Sequence, residues 1–427
     1  MYTLGYAILY FLANITIILP YEMVLQNYTN SESGTYFLML LIVYGVRSVA
    51  VWVLPDQIVT VTGPFMNLRS SVAAACIGFM LMPFIESNTK ALGVLVAILL
   101  GYSSATIWPL FLTYKSEELF RPIKPANLLI DLLAIVIALV ILQVVFPMDV
   151  SSVLLGLLYF ATLFIVPKTD GNNLVADGKA IALVLAVVLL DFIARVGLAS
   201  PMLNASQTVF EEKLVIGMLL TLSVVVSFLA VLEFGRLRHS ELFFATVLRG
   251  LVMAYVMLFM PLILTSMIGS ENATFITYGL YIVGFEAGGI MKNKLAHKKR
   301  LFILGAGFII GFFPNPVIKL LASLLLATFV GSINHDLNQF HIQNGRRLSF
   351  EGITHKYKVS NLGNQFFYII FIASTCGLAF FGTEYPVKFF QGALSEQTAQ
   401  LFSIVMNAVT GVVSSWLLFK ATKKKLE

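Results

Sequence analysis

Long apolar runs separated by short polar gaps make up almost the whole of the 427-residue chain. Most runs approach the roughly 20 residues that an α-helix needs to cross a bilayer, and they are too long and continuous for barrel strands. The pattern predicts an all-α, polytopic membrane protein with about fourteen transmembrane helices. These are expected at about 4–25, 37–60, 70–86, 91–112, 128–147, 151–167, 179–199, 213–233, 242–268, 274–291, 300–313, 315–335, 362–382 and 397–419.

Lysine and arginine residues collect in every second gap, and this alternation predicts the orientation of the chain. Short loops rich in Lys and Arg stay in the cytoplasm. The basic gaps include 292–300 and the C-terminal residues, so both ends are predicted to be cytoplasmic. We therefore expect a multi-pass protein of a cell membrane, and the lack of long soluble regions favours a bacterial cytoplasmic membrane.

Composition agrees with a membrane protein and narrows the expected partners. Hydrophobic residues account for 58% of the chain and charged residues for 12%, with a mean hydropathy of +0.88. Soluble domains carry roughly a quarter charged residues. The net charge of +6 reflects basic loops that can contact anionic lipid head groups. We expect membrane lipids, a small-molecule or lipid-linked substrate and protons as partners of a monomer, with no nucleic acid, cofactor or metal.

A glycine-led motif follows the tenth predicted span. It begins at Gly289, continues through Asn293 and Lys294, and ends in a basic run that closes with Arg300. A glycine lets two membrane helices approach closely. Basic side chains near a helix end can bond its free carbonyl groups and nearby acids. The motif therefore predicts a conformational latch at the cytoplasmic face.

The start of this motif is repeated after the second span, at Gly63, Asn67 and Arg69. Both copies resemble the signature loop of the major facilitator superfamily, roughly G-x-x-x-D-R-x-G-R-R, with Asn in place of the acidic residue. The resemblance implies two six-helix bundles that rock about a central site. It divides the chain into an N-terminal bundle (1–168), an inserted helix pair (169–238), and a C-terminal bundle (239–427) with a cytoplasmic loop at 336–361.

Polar residues inside or at the ends of apolar runs are the candidates for substrate binding. Arg47 and Arg249 lie within spans, where a charge costs about 2.5–3.5 kcal/mol and should face a cavity or a partner. The alternatives are a structural ion pair for Arg47 and snorkelling to the interface for Arg249. Tyr102 and Trp108 are candidates for stacking on the substrate, and Asn334 for the inner mouth of the cavity.

Carboxyl groups in predicted spans are candidates for proton coupling. Burial raises the pKa of a carboxyl group towards neutrality, which suits a proton carrier. The candidates are Glu286, Asp191 and Asp131. The alternatives are a latch to the following basic loop for Glu286, an interfacial position for Asp131, and a self-neutralising pair for Asp191, because Arg195 follows it by one helical turn.

These features together predict a secondary active transporter rather than an enzyme. It would move an amphipathic or anionic small molecule, or flip a lipid-linked substrate, by alternating access, with protons as the expected coupling ion. One alternative is a membrane-embedded transferase whose site lies near His335, Asp336 and His341 at the cytoplasmic face. The other is a transporter or flippase with a different fourteen-span fold.

Overall fold

The structure is a computed structural model and consists of helices wherever it describes regular elements. It describes residues 2–17, 19–31, 33–54, 68–86, 89–116, 146–166, 178–203, 221–231, 240–268, 272–292, 294–295, 297–344, 349–380 and 396–426. The helices of the first half are α1 (Tyr2–Ile15), α2 (Leu19–Ser31), α3 (Gly34–Ala50), α4 (Leu68–Leu81), α5 (Lys90–Ser116), α6 (Met148–Leu163) and α7 (Gly178–Leu203).

The longest helices that the structure describes lie in the second half. The helices of this half are α8 (Thr221–Val231), α9 (Ser240–Ala254), α10 (Met260–Ile268), α11 (Asn272–Met291), α12 (His297–Gly311), α13 (Pro316–Asn344), α14 (Ser349–Phe380) and α15 (Glu396–Leu426). A π-helical segment, Tyr255–Phe259, joins α9 to α10, so that Glu241–Ile268 forms one continuous apolar span. The all-α fold class is confirmed.

Helices coincide with every predicted span except the fifth, which lies almost entirely outside the described residues. The first predicted span is a bent pair, α1 and α2, whose axes differ by 54°. Within the described ranges, five single helical segments are long and apolar enough to cross a membrane: Gly34–Val53, Lys90–Thr113, Glu241–Ile268, Pro316–Gln343 and Gln397–Thr422. Large apolar side chains such as Phe164, Phe302 and Val412 are at least 70% exposed, as expected of surfaces that face lipid rather than water.

Two compact units divide the chain. Unit 1 comprises Met1–Val196 and Gly345–Thr354, and unit 2 comprises Gly197–Asn344 and His355–Glu427. The two helices of the predicted inserted pair therefore fall in different units, because α7 up to Val196 belongs to unit 1 and α8 belongs to unit 2.

Glycine contacts bring the helices of unit 1 together. A Cβ on Gly101 of α5 would lie 2.9 Å from Val46 Cβ of α3, and one on Gly78 of α4 would lie 2.7 Å from a methyl group of Leu100 on α5. A Cβ on Gly45 of α3 would lie 2.7 Å from the ring of Phe192 on α7. Small residues of this kind allow membrane helices to pack backbone against backbone.

Glycine contacts in unit 2 are shorter, and they position the polar residues of the candidate site. A Cβ on Gly250 of α9 would lie 1.8 Å from the carbonyl oxygen of Ser360 on α14, and one on Gly363 would lie 2.0 Å from the carbonyl oxygen of Val247. The two helices thus cross with their backbones in contact.

The turn between α12 and α13 confirms that two helices occupy 297–344. The sequence Phe-Phe-Pro-Asn-Pro separates them, and the Asn315 side chain accepts hydrogen bonds from the backbone N–H groups of Val317 (2.9 Å) and Ile318 (3.3 Å). Asn is a preferred N-cap residue, and Pro316 is the first helical residue, where its missing N–H loses no bond.

The structure differs from the predicted loop at 336–361. Helix α13 continues to Asn344 and α14 already begins at Ser349, so the segment is mostly helix. Three of its polar residues are shielded from water, since His341, His355 and Lys356 are 3%, 5% and 0% exposed. They are buried in contacts between helices, which the hydropathy pattern alone cannot distinguish from a solvated loop.

Candidate functional site

Arg249 forms the centre of a buried polar cluster within unit 2. Its side chain is 2% exposed. Arg249 Nε donates to Asn334 Oδ1 of α13 at 2.8 Å, and Nη1 donates to Ser360 Oγ of α14 at 2.7 Å. The guanidinium therefore links three helices through hydrogen bonds to two neutral side chains.

Lys356 of α14 is a second buried cation in the same cluster, and its side chain is 0% exposed. Its Nζ donates to Asn334 Oδ1 and to Asn338 Oδ1. Arg249 and Lys356 thus share one acceptor atom. The Tyr357 ring lies beside both, with its centroid 5.2 Å from Arg249 Cζ and 5.0 Å from Lys356 Nζ. We call Arg249, Asn334, Asn338, Lys356 and Ser360 the unit 2 cationic site.

Helical spacing explains why these side chains meet. Residues three or four apart lie on one face of a helix, and this spacing relates Asn334 to Asn338 and Lys356 to Ser360. The close crossing at Gly250 brings the neighbouring Arg249 within reach of Ser360. The site therefore rests on rigid helices and not on a loop.

Histidines extend the cluster along α13 and α14. His341 Nε2 lies 2.9 Å from the hydroxyl oxygen of Thr246, one turn before Arg249 on α9. The ring centroids of His341 and His355 are 6.0 Å apart. Lys358, two residues beyond Lys356, is also buried.

The electrostatics of the unit 2 cationic site are unusual for a buried cluster. The hydrogen-bond and ring partners of Arg249 and Lys356 in the described residues are all uncharged. A buried charge without an opposite charge costs several kcal/mol, so such charges are normally paired or hold a ligand. The site is therefore suited to receive an anionic group.

Of the five residues predicted to bind substrate, the structure brings together Arg249 and Asn334. Arg47 lies on α3, and Tyr102 and Trp108 lie on α5, all in unit 1. Trp108 is buried and packs on Tyr10 and Phe111, with ring centroids 6.1 and 5.9 Å away.

The structure describes two of the three predicted proton carriers. Asp191 and Arg195 form an ion pair in which Arg195 Nε lies 3.1 Å from both carboxylate oxygens, and both side chains are at most 1% exposed. This geometry is that of the self-neutralising pair. Glu286 lies half-buried on α11, and Asp131 lies outside the described residues.

Arg300 makes the contacts expected of the predicted latch. It donates to the carbonyl oxygens of Lys292 and Leu295, both at 3.1 Å, and to Asp336 Oδ2 at 2.6 Å. It therefore ties the segment after α11 to the last third of α13. Partial burial lowers the pKa of Lys292, and the Asp336 carboxylate acts in the opposite direction.

The glycine of the latch motif does not make the expected close approach. A Cβ on Gly289 would have no atom within 4 Å, whereas one on Gly288 would lie 2.1 Å from the carbonyl oxygen of Thr328 on α13. The side chain of Lys294 is exposed. The remaining predicted latch residues are Asn293, Gly63 and Asn67, which lie outside the described residues, and Arg69, which is half-buried on α4.

A second polar cluster in unit 2 surrounds Lys319, which is 1% exposed. Lys319 Nζ donates to the carbonyl oxygen of Gly311, the last residue of α12, at 2.8 Å, and to the hydroxyl of Ser403. Asn407 Nδ2 donates to the same carbonyl oxygen at 2.7 Å, and the Tyr255 hydroxyl donates to Asn407 Oδ1 at 2.5 Å. A cation near a helix C-terminus is electrostatically favourable, so this cluster caps α12.

Two of the three residues of the transferase alternative have separate partners. Asp336 binds Arg300, and His341 faces Thr246. Within the ranges that the structure describes, no three His, Cys, Asp or Glu side chains are placed to hold a metal ion.

Comparison with solved structures identifies the fold. The chain is similar to a mutant form of the nucleoside transporter NupG, with 11% identity over 98% of this chain and 100% of that chain and a TM-score of 0.54. It is also similar to the peptide transporter POT in complex with sulfate (14% identity, 99% and 94% covered, TM-score 0.53) and to an auto-inhibited POT family peptide transporter (12%, 98% and 95%, 0.51).

These are transporters of the major facilitator type, and the chain therefore has a fold of that type. The likeness favours this fold over the alternative of a different fourteen-span fold. No family model and no curated protein matches the sequence. At these identities the likeness concerns the fold alone, and the function must be argued from the chain's own residues.

Proposed function

We propose that the chain is a secondary transporter that moves an anionic or amphipathic small molecule, free or lipid-linked, by alternating access. The observation that carries this proposal is the convergence of Arg249 and Lys356 on one neutral oxygen, Asn334 Oδ1, in a buried part of unit 2. The fold, shared with nucleoside and peptide transporters, supports transport over catalysis.

Hydrogen-bonding capacity supports anion binding at this site. A guanidinium has five N–H donors and an ammonium has three. Among the described residues, Arg249 bonds Asn334 and Ser360, and Lys356 bonds Asn334 and Asn338, so with respect to those residues both cations retain donors for a ligand. Intramembrane charges of this kind mark substrate pathways in membrane proteins.

The test is uptake of labelled organic anions and lipid-linked probes into proteoliposomes that contain the full chain. We expect Arg249→Ala and Lys356→Ala each to reduce uptake at least about tenfold, because each loses one charge-assisted contact worth about 1.5–3 kcal/mol. Lys90→Ala is the matched control, since Lys90 is a lysine with an exposed side chain outside the latch motif. Uptake by both alanine variants at the Lys90→Ala rate would refute the proposal.

For energy coupling we propose protons, with Glu286 as the carrier. Glu286 lies on α11, close to the segment that Arg300 holds. Glu286→Gln should abolish accumulation driven by a pH gradient while leaving exchange of labelled for unlabelled substrate intact. Loss of both activities would instead indicate a structural role or the latch alternative.

We further propose that Arg300 and Asp336 form a contact that breaks and reforms during transport. Helix–helix contacts with two arrangements are the usual basis of such rocking motions. Asp336→Asn should change the transport rate more than substrate affinity, and the swap of Arg300→Asp with Asp336→Arg should recover part of the rate. The segment would lie at the cytoplasmic face, as the basic residues of 292–300 predict.

A further inference from the structure

We propose that the anionic group received by the unit 2 cationic site is a doubly charged, phosphate-type group, either free phosphate or a phosphate monoester. This inference rests on the proposed function and names the chemistry of its substrate. A monoester belongs either to a soluble molecule or to a lipid head group, and the experiment below separates the two sources.

The number of buried charges favours a doubly charged ligand. An arginine is always protonated, and Lys356 is a second basic group bonded to the same oxygen, Asn334 Oδ1. Within the part of the chain that the structure describes, the other hydrogen-bond and ring contacts of the two side chains are Ser360, Asn338 and the Tyr357 ring, none of them charged. A single carboxylate would leave one of the two cations uncompensated in a buried setting. A phosphate monoester carries about −1.5 to −2 charges at pH 7 and neutralises both.

The arrangement of donors fits a group with several oxygens. Arg249 Nε and Lys356 Nζ both donate to the same atom, Asn334 Oδ1, so the two nitrogens lie close together. A phosphoryl group can accept from both cations at once through different oxygens. A planar carboxylate matches the arginine fork equally well, so shape alone does not choose between the ligands and charge decides.

The neutral acceptors explain how the fold tolerates two neighbouring buried cations. The amide oxygens of Asn334 and Asn338 and the hydroxyl of Ser360 satisfy part of each cation's donors. The Tyr357 ring lies against both cations, and the negative face of an aromatic ring attracts a positive charge. A carboxylate in place of these groups would hold the cations permanently and compete with an incoming anion. Because the surrounding groups are neutral, the two cations can still attract an incoming anion.

The experiment measures ligand-induced stabilisation of the purified full chain in detergent. The unfolding temperature is followed during titration with sodium phosphate, sodium sulfate and sodium acetate at matched ionic strength and near-neutral pH. We expect phosphate and sulfate to stabilise at concentrations at least about tenfold lower than acetate.

Lys356→Gln tests the charge argument. This variant keeps Arg249 and removes one cation, so phosphate affinity should fall at least about tenfold while acetate affinity changes less than about threefold. Lys356→Arg keeps both charges and should retain the preference for phosphate, which separates charge from folding defects. Lys90→Gln, at an exposed lysine outside the latch motif, serves as the matched surface control.

Lipid vesicles identify the source of the phosphate group. Phosphatidic acid carries a phosphate monoester, and phosphatidylglycerol carries a singly charged diester. Competition by phosphatidic acid but not phosphatidylglycerol against labelled phosphate would support a lipid monoester as substrate. Binding of inorganic phosphate without competition by phosphatidic acid would support a soluble phosphate compound.

The outcomes distinguish this inference from the function on which it rests. If acetate stabilises as strongly as phosphate and Arg249→Ala abolishes both effects, the doubly charged ligand is refuted and an anion transporter still stands. If no anion stabilises the chain and Arg249→Ala transports at the control rate, both proposals fail.

Discussion

Gly250 and Ser360 are in backbone contact: a Cβ added to Gly250 would lie 1.8 Å from the carbonyl oxygen of Ser360. No side-chain adjustment can relieve this overlap, because the two atoms nearest the added Cβ, the carbonyl oxygen and carbonyl carbon of Ser360, belong to the backbone. Gly250→Ala must therefore push α9 away from α14 and lengthen the bond between Arg249 Nη1 and Ser360 Oγ. We expect a loss of stability of about 1–3 kcal/mol or more, measured by unfolding in detergent, together with weaker anion binding.

Gly279→Ala provides the control for this change. A Cβ at Gly279 would meet no atom within 4 Å, so this variant should unfold within about 0.5 kcal/mol of the wild type. Equal stability of Gly250→Ala and Gly279→Ala would mean that α9 and α14 do not cross as closely as described.

Adjacent glycines on α11 give a sharper comparison. A Cβ on Gly288 would lie 2.1 Å from the carbonyl oxygen of Thr328, whereas one on Gly289 would meet nothing within 4 Å. Gly288→Ala should therefore destabilise the chain by about 1–3 kcal/mol or more, and Gly289→Ala should leave stability nearly unchanged. Both variants are read by the same unfolding assay. If Gly289→Ala instead destabilised the chain more than Gly288→Ala, Gly289 would be the point of close approach, as the motif predicts.

The positions of the membrane helices could be predicted because the bilayer imposes a fixed length on apolar runs. The turn at Asn315 and Pro316 was also predictable, since those residue types end or start helices for local reasons. The 336–361 segment was not, because hydropathy measures the average polarity of a segment. It cannot tell whether polar side chains such as His341 and Lys356 face water or one another.

The candidate site was predictable only in part, for a related reason. Arg249 and Asn334 stand out as polar residues within or at the end of apolar runs. Lys356 and Ser360 look like ordinary loop residues, although they are the partners that complete the site. Asn334 and Ser360 follow Arg249 by 85 and 111 residues along the chain, so no local pattern joins them. The sequence does hold one sign of the site. Asn334 and Asn338 are four residues apart, as are Lys356 and Ser360, so each pair shares one face of a helix.

The Lys319 cluster predicts unequal effects of two substitutions. Asn407→Leu leaves the Tyr255 hydroxyl without its acceptor and removes one donor from the Gly311 carbonyl. Each buried polar group left unsatisfied costs about 1–3 kcal/mol. Lys319→Met removes a buried charge while Asn407 still bonds the same carbonyl, so its effect should stay within about 1 kcal/mol.

Unfolding of the two variants in detergent checks this ranking. Ser415→Ala is a suitable control because Ser415 lies on the same helix as Asn407, with an exposed side chain. If Lys319→Met destabilised the chain more than Asn407→Leu, the lysine would hold the cluster together through its charge, and the amide would be secondary.

The ion pair of Asp191 and Arg195 predicts a rescue by double substitution. Asp191→Asn leaves Arg195 charged and buried in unit 1, where removal of one partner of a buried pair costs about 3–5 kcal/mol. Asp191→Asn combined with Arg195→Gln removes both charges and should recover most of that stability. Asp149→Asn, at an exposed acid in the same unit, should leave stability unchanged.

Transport by the double variant decides between the two roles of Asp191. A pair that only neutralises itself is dispensable for coupling, so the double variant should retain gradient-driven uptake close to the wild-type rate once its stability is restored. If the double variant were stable and still failed to couple uptake to a pH gradient, Asp191 would carry protons. The ion pair at 3.1 Å would then be one state of a relay.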